Sequence, residues 1–147
     1  MVSPEEIDPA IWRTPRETFV RVRYAETDQM GVVYYGHYAV YCEIARTEWI
    51  RHFGLTYAQI EEMGFMLPVR RFCITYHRPA RYDDLIRIET WLGEPPNTKL
   101  FFHHRLYRQE ELLAEAEVLL LFVSKAIWRP CRPPEAFYAA LAAQASR

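Results

Sequence analysis

Asp28 and Glu26 lie in a polar stretch, Ala25 to Met30, that ends at Gly31 and leads into a helix-patterned segment. A carboxylate just before a helix sits where free backbone N–H groups and the positive dipole end gather. This helix start offers no Ser, Thr, Asp or Asn at Tyr35, Gly36 or His37 to cap those donors. Glycine tolerates the geometry but supplies no oxygen. Uncapped donors at a helix N-terminus make a ready site for a developing oxyanion, as in acyl transfer. A carboxylate base or nucleophile beside such a site is a workable hydrolase constellation. The same residues, taken alone, also describe a solvated turn, where Asp is common.

The elements that must hold this stretch follow from periodicity. Phe19 to Tyr24 alternates, with Val20, Val22 and Tyr24 on one face and Arg21 and Arg23 on the other, which predicts a half-buried strand. Residues 1–16 are punctuated by prolines and predict an extended arm ahead of a single domain over 17–147. Tyr41, Ile44, Ala45, Trp49 and Phe53 fall three or four apart, predicting a helix from about Gly36 to Phe53 that Gly54 stops. Thr56 and Gln59 have capping-box spacing, and Gly64 closes the short second helix they open.

After Pro68 the chain turns to strands. Phe72, Ile74 and Tyr76 alternate with Cys73, Thr75 and His77; Leu85 to Leu92 follows with Ile86, Ile88 and Leu92 on one face. Leu100 to Tyr107 and Leu112 to Val123 predict a hairpin across Arg108 to Glu111. Val118 to Val123 is apolar on both faces, which calls for cover from the helix and from a partner subunit. Pro133-Pro134 opens a terminal helix carrying Phe137, Tyr138 and Leu141. Five strands and one helix of about five turns predict an α+β domain, an antiparallel sheet wrapped around one long helix.

Composition narrows the function classes. The 147 residues suffice for one domain with its own core. A net charge of -1 gives no long-range pull towards nucleic acid or anionic membrane. No apolar run approaches the ~18–20 residues of a membrane span. The first sixteen residues lack the apolar core of a signal peptide, so a cytoplasmic protein is expected. Cys42, Cys73 and Cys131 are odd in number and widely spaced, which argues against a disulfide framework and a zinc site. His103 and His104 point to opposite faces of a strand and cannot share a metal. Ten Tyr, eight Phe and four Trp predict a large subunit interface or an apolar ligand slot.

The stretch from Arg21 to Arg46 resembles the active-site signature of the 4-hydroxybenzoyl-CoA thioesterase superfamily, in its YbgC-like branch. Arg21, Glu26, Thr27, Asp28, Gly31, Val33, Tyr34, Tyr35, Tyr38, Glu43 and Arg46 fall in its places. Tyr76 to Ile86 resembles the family's Y-x-x-P-A-x-x-D-D-x-I segment, and Ala114 to Val118 its later strand. The resemblance implies a hotdog fold and hydrolysis of acyl-CoA to free acid and CoA, without metal or redox cofactor. It implies Asp28 as nucleophile or general base and the Tyr35 backbone N–H as the donor that polarises the thioester carbonyl. Gly31, Val32, Tyr34, His37, Tyr38 and Glu43 are the implied substrate-side residues. A dimer with the site at its interface, pairing further into a tetramer, is implied as well.

Two departures stand out. His37 takes a place where many relatives carry Asn or Ser, and it fits a helix-start side chain covering the site or a group that bonds substrate. The turn Glu94 to Thr98 lacks the basic cluster of some relatives, leaving Lys99, Arg129 and Arg132 as candidates for the CoA phosphates. Two other functions remain open at this level. One is a hotdog hydratase or dehydratase using His37 with Asp28 or Glu43. The other is a non-catalytic acyl-CoA-binding protein, because fold does not fix function.

Overall fold

The structure is a computed structural model that describes residues 2–144. A 3₁₀ turn (Pro4–Glu6) and helix α1 (Pro9–Arg13) precede strand β1 (Arg16–Arg21). The segment expected as an extended arm therefore contains a 3₁₀ turn of three residues and a helix of five. Asp8 accepts the Ala10 N–H at 3.0 Å and Pro9 occupies the first turn, so Asp8-Pro9 starts a helix that buries Trp12 beside Ile7. Strand β1 begins and ends about three residues before the predicted strand. Val22 is buried as expected, but Tyr24 turns outward and is 78% exposed, because the chain there enters a 3₁₀ turn, Tyr24–Glu26.

Helix α2 (His37–His52) and helix α3 (Tyr57–Glu62) follow. On α2, Tyr41, Ala45 and Trp49 are buried and Phe53 caps the stripe, while Ile44 joins Val40 on the exposed side. Helix α2 packs on β1 and on β4 (Leu85–Leu92). At α3, Thr56 Oγ1 accepts the Gln59 N–H and Gln59 Oε1 accepts the Thr56 N–H, and Gly64 leaves the helix at φ +95°.

Strand β2 (Phe65–Met66) precedes β3 (Val69–Tyr76), then come β4, β5 (Lys99–Arg108) and β6 (Glu111–Leu121). The main sheet is antiparallel with order β1-β4-β5-β6-β3, which leaves β1 and β3 as its edges. The hairpin between β5 and β6 turns on Gln109, which adopts φ +55°. A second sheet was not anticipated. β2 pairs with β7 (Val123–Ser124), and β7 with β8 (Arg129–Pro130), so the apolar run ends in this small sheet instead of extending β6. Helix α4 (Glu135–Ala143) buries Phe137, Tyr138 and Leu141. Cys42, Cys73 and Cys131 are free thiols, and no described helix is long and apolar enough to cross a membrane.

His104 faces the core and His103 the outer surface, stacked on Trp91 at 5.5 Å. Burial, then the positive charges of Arg46 and His103, push the His104 pKa down to about 3, and its Nδ1 pairs with Thr90 Oγ1 at 2.9 Å. Unfolded, His104 takes its proton near pH 6.5. Its contribution to stability is complete above that pH and declines through the window from 6.5 towards about 3. Urea unfolding at pH 7, 6 and 5 should show stability falling by up to ~1.4 kcal/mol per unit from this group. His104→Gln should show a visibly shallower slope; an unchanged slope would refute the assignment.

Candidate active site

Glu26 organises the loop. It is 3% exposed, and its carboxylate accepts the Arg23 backbone N–H at 2.8 Å, Arg23 Nη2 at 3.2 Å and the Tyr41 hydroxyl of α2 at 2.9 Å. Its carbonyl accepts the Tyr34 N–H at 2.9 Å. Burial pushes its pKa upward, but the bonds from Arg23 N–H, Tyr41 and the Arg23 guanidinium outweigh that, leaving it below the ordinary value. One carboxylate thus ties the start of the loop to its end and to α2.

The Asp28 turn is closed upon itself. Thr27 and Val33 form an antiparallel bridge, Asp28 N–H donates to Val32 O, and Gly31 N–H donates to Asp28 O, both at 2.9 Å. Met30 N–H donates to Asp28 Oδ1 at 2.9 Å, the bond of an Asx turn. Gly31 adopts φ +79°, a conformation a side chain would strain. Asp28 is half-buried, and its Oδ2 has no partner among the described residues. It lines an open depression with Tyr24, Thr27, Gln29, Gly31 and Tyr82.

The start of α2 matches the uncapped end read from sequence. Gly36 is its N-cap and makes no side-chain bond. His37 N–H donates to Tyr34 O at 2.9 Å and Tyr38 N–H to Tyr35 O at 3.4 Å, tightening the first turn. Among the described residues the N–H groups of Tyr35 and Gly36 have no acceptor. The Tyr76 hydroxyl holds Tyr35 O at 2.9 Å, and Val33 N–H donates to Ala80 O at 2.8 Å. The loop is thereby fixed to the β3–β4 connection.

Asp28, Gly31, Val32, Tyr34 and Tyr35 share this loop, and His37 flanks it with its ring 6.2 Å from that of Tyr34. Tyr38 is 2% exposed and its hydroxyl accepts the Ala80 N–H, so it supports the loop from below. Glu43 lies on the exposed side of α2, more than a turn further along. Lys99, Arg129 and Arg132 stand at the far end of β6, since Lys99 pairs with Leu121 and Cys131 N–H bonds Phe122 O. The loop anchors near Leu113, which accepts from His77 and Arg78. At 3.3 Å per residue the two ends are roughly 25 Å apart. One chain does not bring them together. Sequence reasoning missed Glu26 as the anchor, and Tyr24 and Tyr82 beside Asp28; for Glu26 the signal was its place three residues after Arg23.

The fold is that of the hotdog thioesterases. The chain belongs to the thioesterase-like superfamily, whose family model matches residues 22–141. It is 38% identical to the acyl-CoA thioester hydrolase YbgC of Escherichia coli O157:H7, over 82% of this chain and 90% of that one. It is 34% identical to the acyl-CoA thioesterase YbgC of Haemophilus influenzae, with the same coverage of 82% and 90%. The crystal structure of a DHNA-CoA thioesterase from Staphylococcus aureus superposes with a TM-score of 0.82 at 26% identity, covering 90% of this chain and 91% of that one.

Glu26→Gln removes the charge while keeping the shape. At pH 7 it should lower stability by roughly 1.5–3 kcal/mol, the worth of bonds to a charged group. Because the folded pKa is depressed, this contribution is full above the unfolded value of about 4.3 and is lost as pH falls through the folded one. Urea midpoints of wild type and variant should differ at pH 7 and converge in acid. Equal midpoints at pH 7 would remove Glu26 from this role.

Proposed function

We propose that this chain hydrolyses acyl-CoA thioesters to free acid and CoA, with Asp28 as the reacting carboxylate and the Tyr35 N–H as oxyanion donor. The observation that carries the reading is the pairing of a carboxylate oxygen with no protein partner and, on the same fixed loop, backbone donors with no acceptor. Relatives that bear the name acyl-CoA thioesterase supply the substrate class.

Asp28 acts on the carbonyl carbon directly or through a water that it deprotonates. In the direct route a carboxylate oxygen bonds that carbon, the C–S bond breaks, and the CoA thiolate leaves and takes up a proton. Water then cleaves the resulting anhydride and restores the carboxylate. In either route negative charge builds on the carbonyl oxygen, where a fixed N–H donor is worth ~10²–10³ in rate. Gly31 and Val32 allow close approach, and Tyr34 and His37 border the acyl end.

The reading includes a homodimer. Strand β3 is an unpaired edge, and Val69 and Tyr76 on it, with Val40 and Ile44 on α2, are exposed apolar residues. Antiparallel pairing of two β3 edges sets the far end of one β6 beside the Asp28 loop of the other. Lys99, Arg129 and Arg132 then reach the CoA phosphates in trans, Glu43 faces the neighbouring chain, and two dimers pair into a tetramer.

Purified protein incubated with acetyl- to palmitoyl-CoA and benzoyl-CoA should release free thiol. Asp28→Asn, shown to be folded, should lose at least ~100-fold, or about 2.7 kcal/mol of transition-state stabilisation. No thiol from any ester, or an undiminished variant, would overturn the mechanism. Light scattering should give a mass at least twice the 17.5 kDa of one chain. An active monomer would rule out the shared site.

A further inference from the structure

We propose that Tyr24 and Tyr82 form the wall on which the acyl group of the substrate packs, and so set which acyl groups are turned over. The inference rests on Asp28 as the reacting carboxylate. Tyr24 opens the 3₁₀ turn before Asp28, and Tyr82 comes from the β3–β4 connection. Their rings meet edge to face, with centroids 5.6 Å apart and planes at 76°. Tyr24 nevertheless stays 78% exposed and Tyr82 57% exposed. Each ring therefore offers open apolar surface, and both line the depression that holds Asp28.

The wall is held in place before any ligand arrives. Tyr24 O accepts the Thr27 N–H at 3.1 Å and the Thr27 hydroxyl at 2.7 Å. On the other side, Asp83 N–H donates to Val22 O at 3.0 Å, Arg21 Nη1 donates to Asp83 O at 2.8 Å, and Arg81 N–H donates to Asp84 Oδ2 at 2.8 Å. Two loops distant in sequence are thus cross-tied so that the rings meet. Large aromatic side chains left exposed beside a reactive group are the usual material of a ligand contact.

The chemistry chooses the acyl group over the CoA arm. A thioester carbonyl within reach of Asp28 carries the acyl chain on one side and the CoA sulfur on the other, so both start at the surface shared with Asp28 and the character of that surface decides between them. The Asp28 N–H, the Gly31 N–H and the Thr27 hydroxyl are already bonded within the loop. An arm bearing two amides would find the Gln29 side chain and the two phenol hydroxyls, exposed groups that water already satisfies, whereas a hydrocarbon or ring finds aromatic faces and leaves water by doing so.

The test is kcat/KM for acetyl-, hexanoyl-, decanoyl- and benzoyl-CoA in Tyr24→Ala, Tyr82→Ala, Tyr24→Phe and Tyr82→Phe. Each alanine variant should lower the ratio of the larger esters to acetyl-CoA by about ten-fold, and the phenylalanine variants should restore it. Thermal melts confirm that these surface changes leave the fold intact. An unchanged ratio, or an equal fall for all esters, overturns the wall. Binding of non-hydrolysable thioether analogues of the same series separates this inference from the mechanism. If wild type binds the decanoyl analogue more tightly than the acetyl one and Tyr82→Ala loses that preference, the wall stands even where Asp28→Asn still hydrolyses. If wild-type affinity is flat across the series, the wall fails and the Asp28 reading is judged on thiol release alone.

Discussion

The burial of one carboxylate, that of Glu26, is the constraint on which the rest of the site depends. Its partner Arg23 has a side chain 78% exposed, so that ion pair alone contributes little. The weight falls on the donors that share its buried environment, the Arg23 N–H and the Tyr41 hydroxyl. A buried carboxylate without partners costs several kcal/mol, so both bonds are in effect obligatory. Since Tyr41 belongs to α2 and Arg23 ends the run from β1, meeting that demand fixes the loop between them. Asp28, two residues on, inherits a defined position without being buried itself. That combination suits a reacting group, which needs both fixed geometry and access.

A second constraint works against stability. A Ser or Asp at Gly36 would add only a few tenths of a kcal/mol by capping the first turn, and its Cβ would come 2.9 Å from the Tyr34 ring. The chain instead tightens its first turn through bonds from His37 and Tyr38 N–H, and the groups just before them stay open. Tyr76 anchors Tyr35 through its carbonyl, which fixes the peptide and leaves the N–H alone. In the proposed mechanism this peptide is the oxyanion donor, so the missing cap and the added anchor serve one end.

Much of this was legible in the residues, and the failures have physical causes. Strand β4 and helix α3 were readable because their signals are local: alternation at Ile86 and Ile88, and a capping pair at Thr56 and Gln59. The uncapped start of α2 was legible for the same reason. Helix α1 was not, since one turn is too short for periodicity and its prolines also suit an extended chain. Strands β2, β7 and β8 have two residues each and carry no period at all. Tyr24 continued an alternation that the backbone abandons at the 3₁₀ turn. Glu26 looked like a turn residue because its burial depends on Tyr41, and the Tyr24–Tyr82 contact depends on the whole of β3 lying between them. Long-range partners of polar and aromatic groups are what a local pattern cannot carry.

The residues assigned to CoA show how far one chain goes. Lys99, Arg129 and Arg132 gather at one end of β6 and the Asp28 loop at the other, because β5, β6 and β3 run antiparallel with nearly full register. Bending the sheet cannot close that gap, since its strands are bonded along most of their length. Moving the loop cannot either, since Glu26, Ala80 and Tyr76 hold it. Either the basic residues are ordinary surface charge or a second chain supplies them. A two-fold pairing of β3 edges reverses strand direction and therefore exchanges the two ends, carrying one chain's basic end to the other's loop. It also covers a strand edge that would otherwise invite non-specific pairing. In the proposed dimer, the need for a closed sheet edge and the need for a completed site would be met by the same contact.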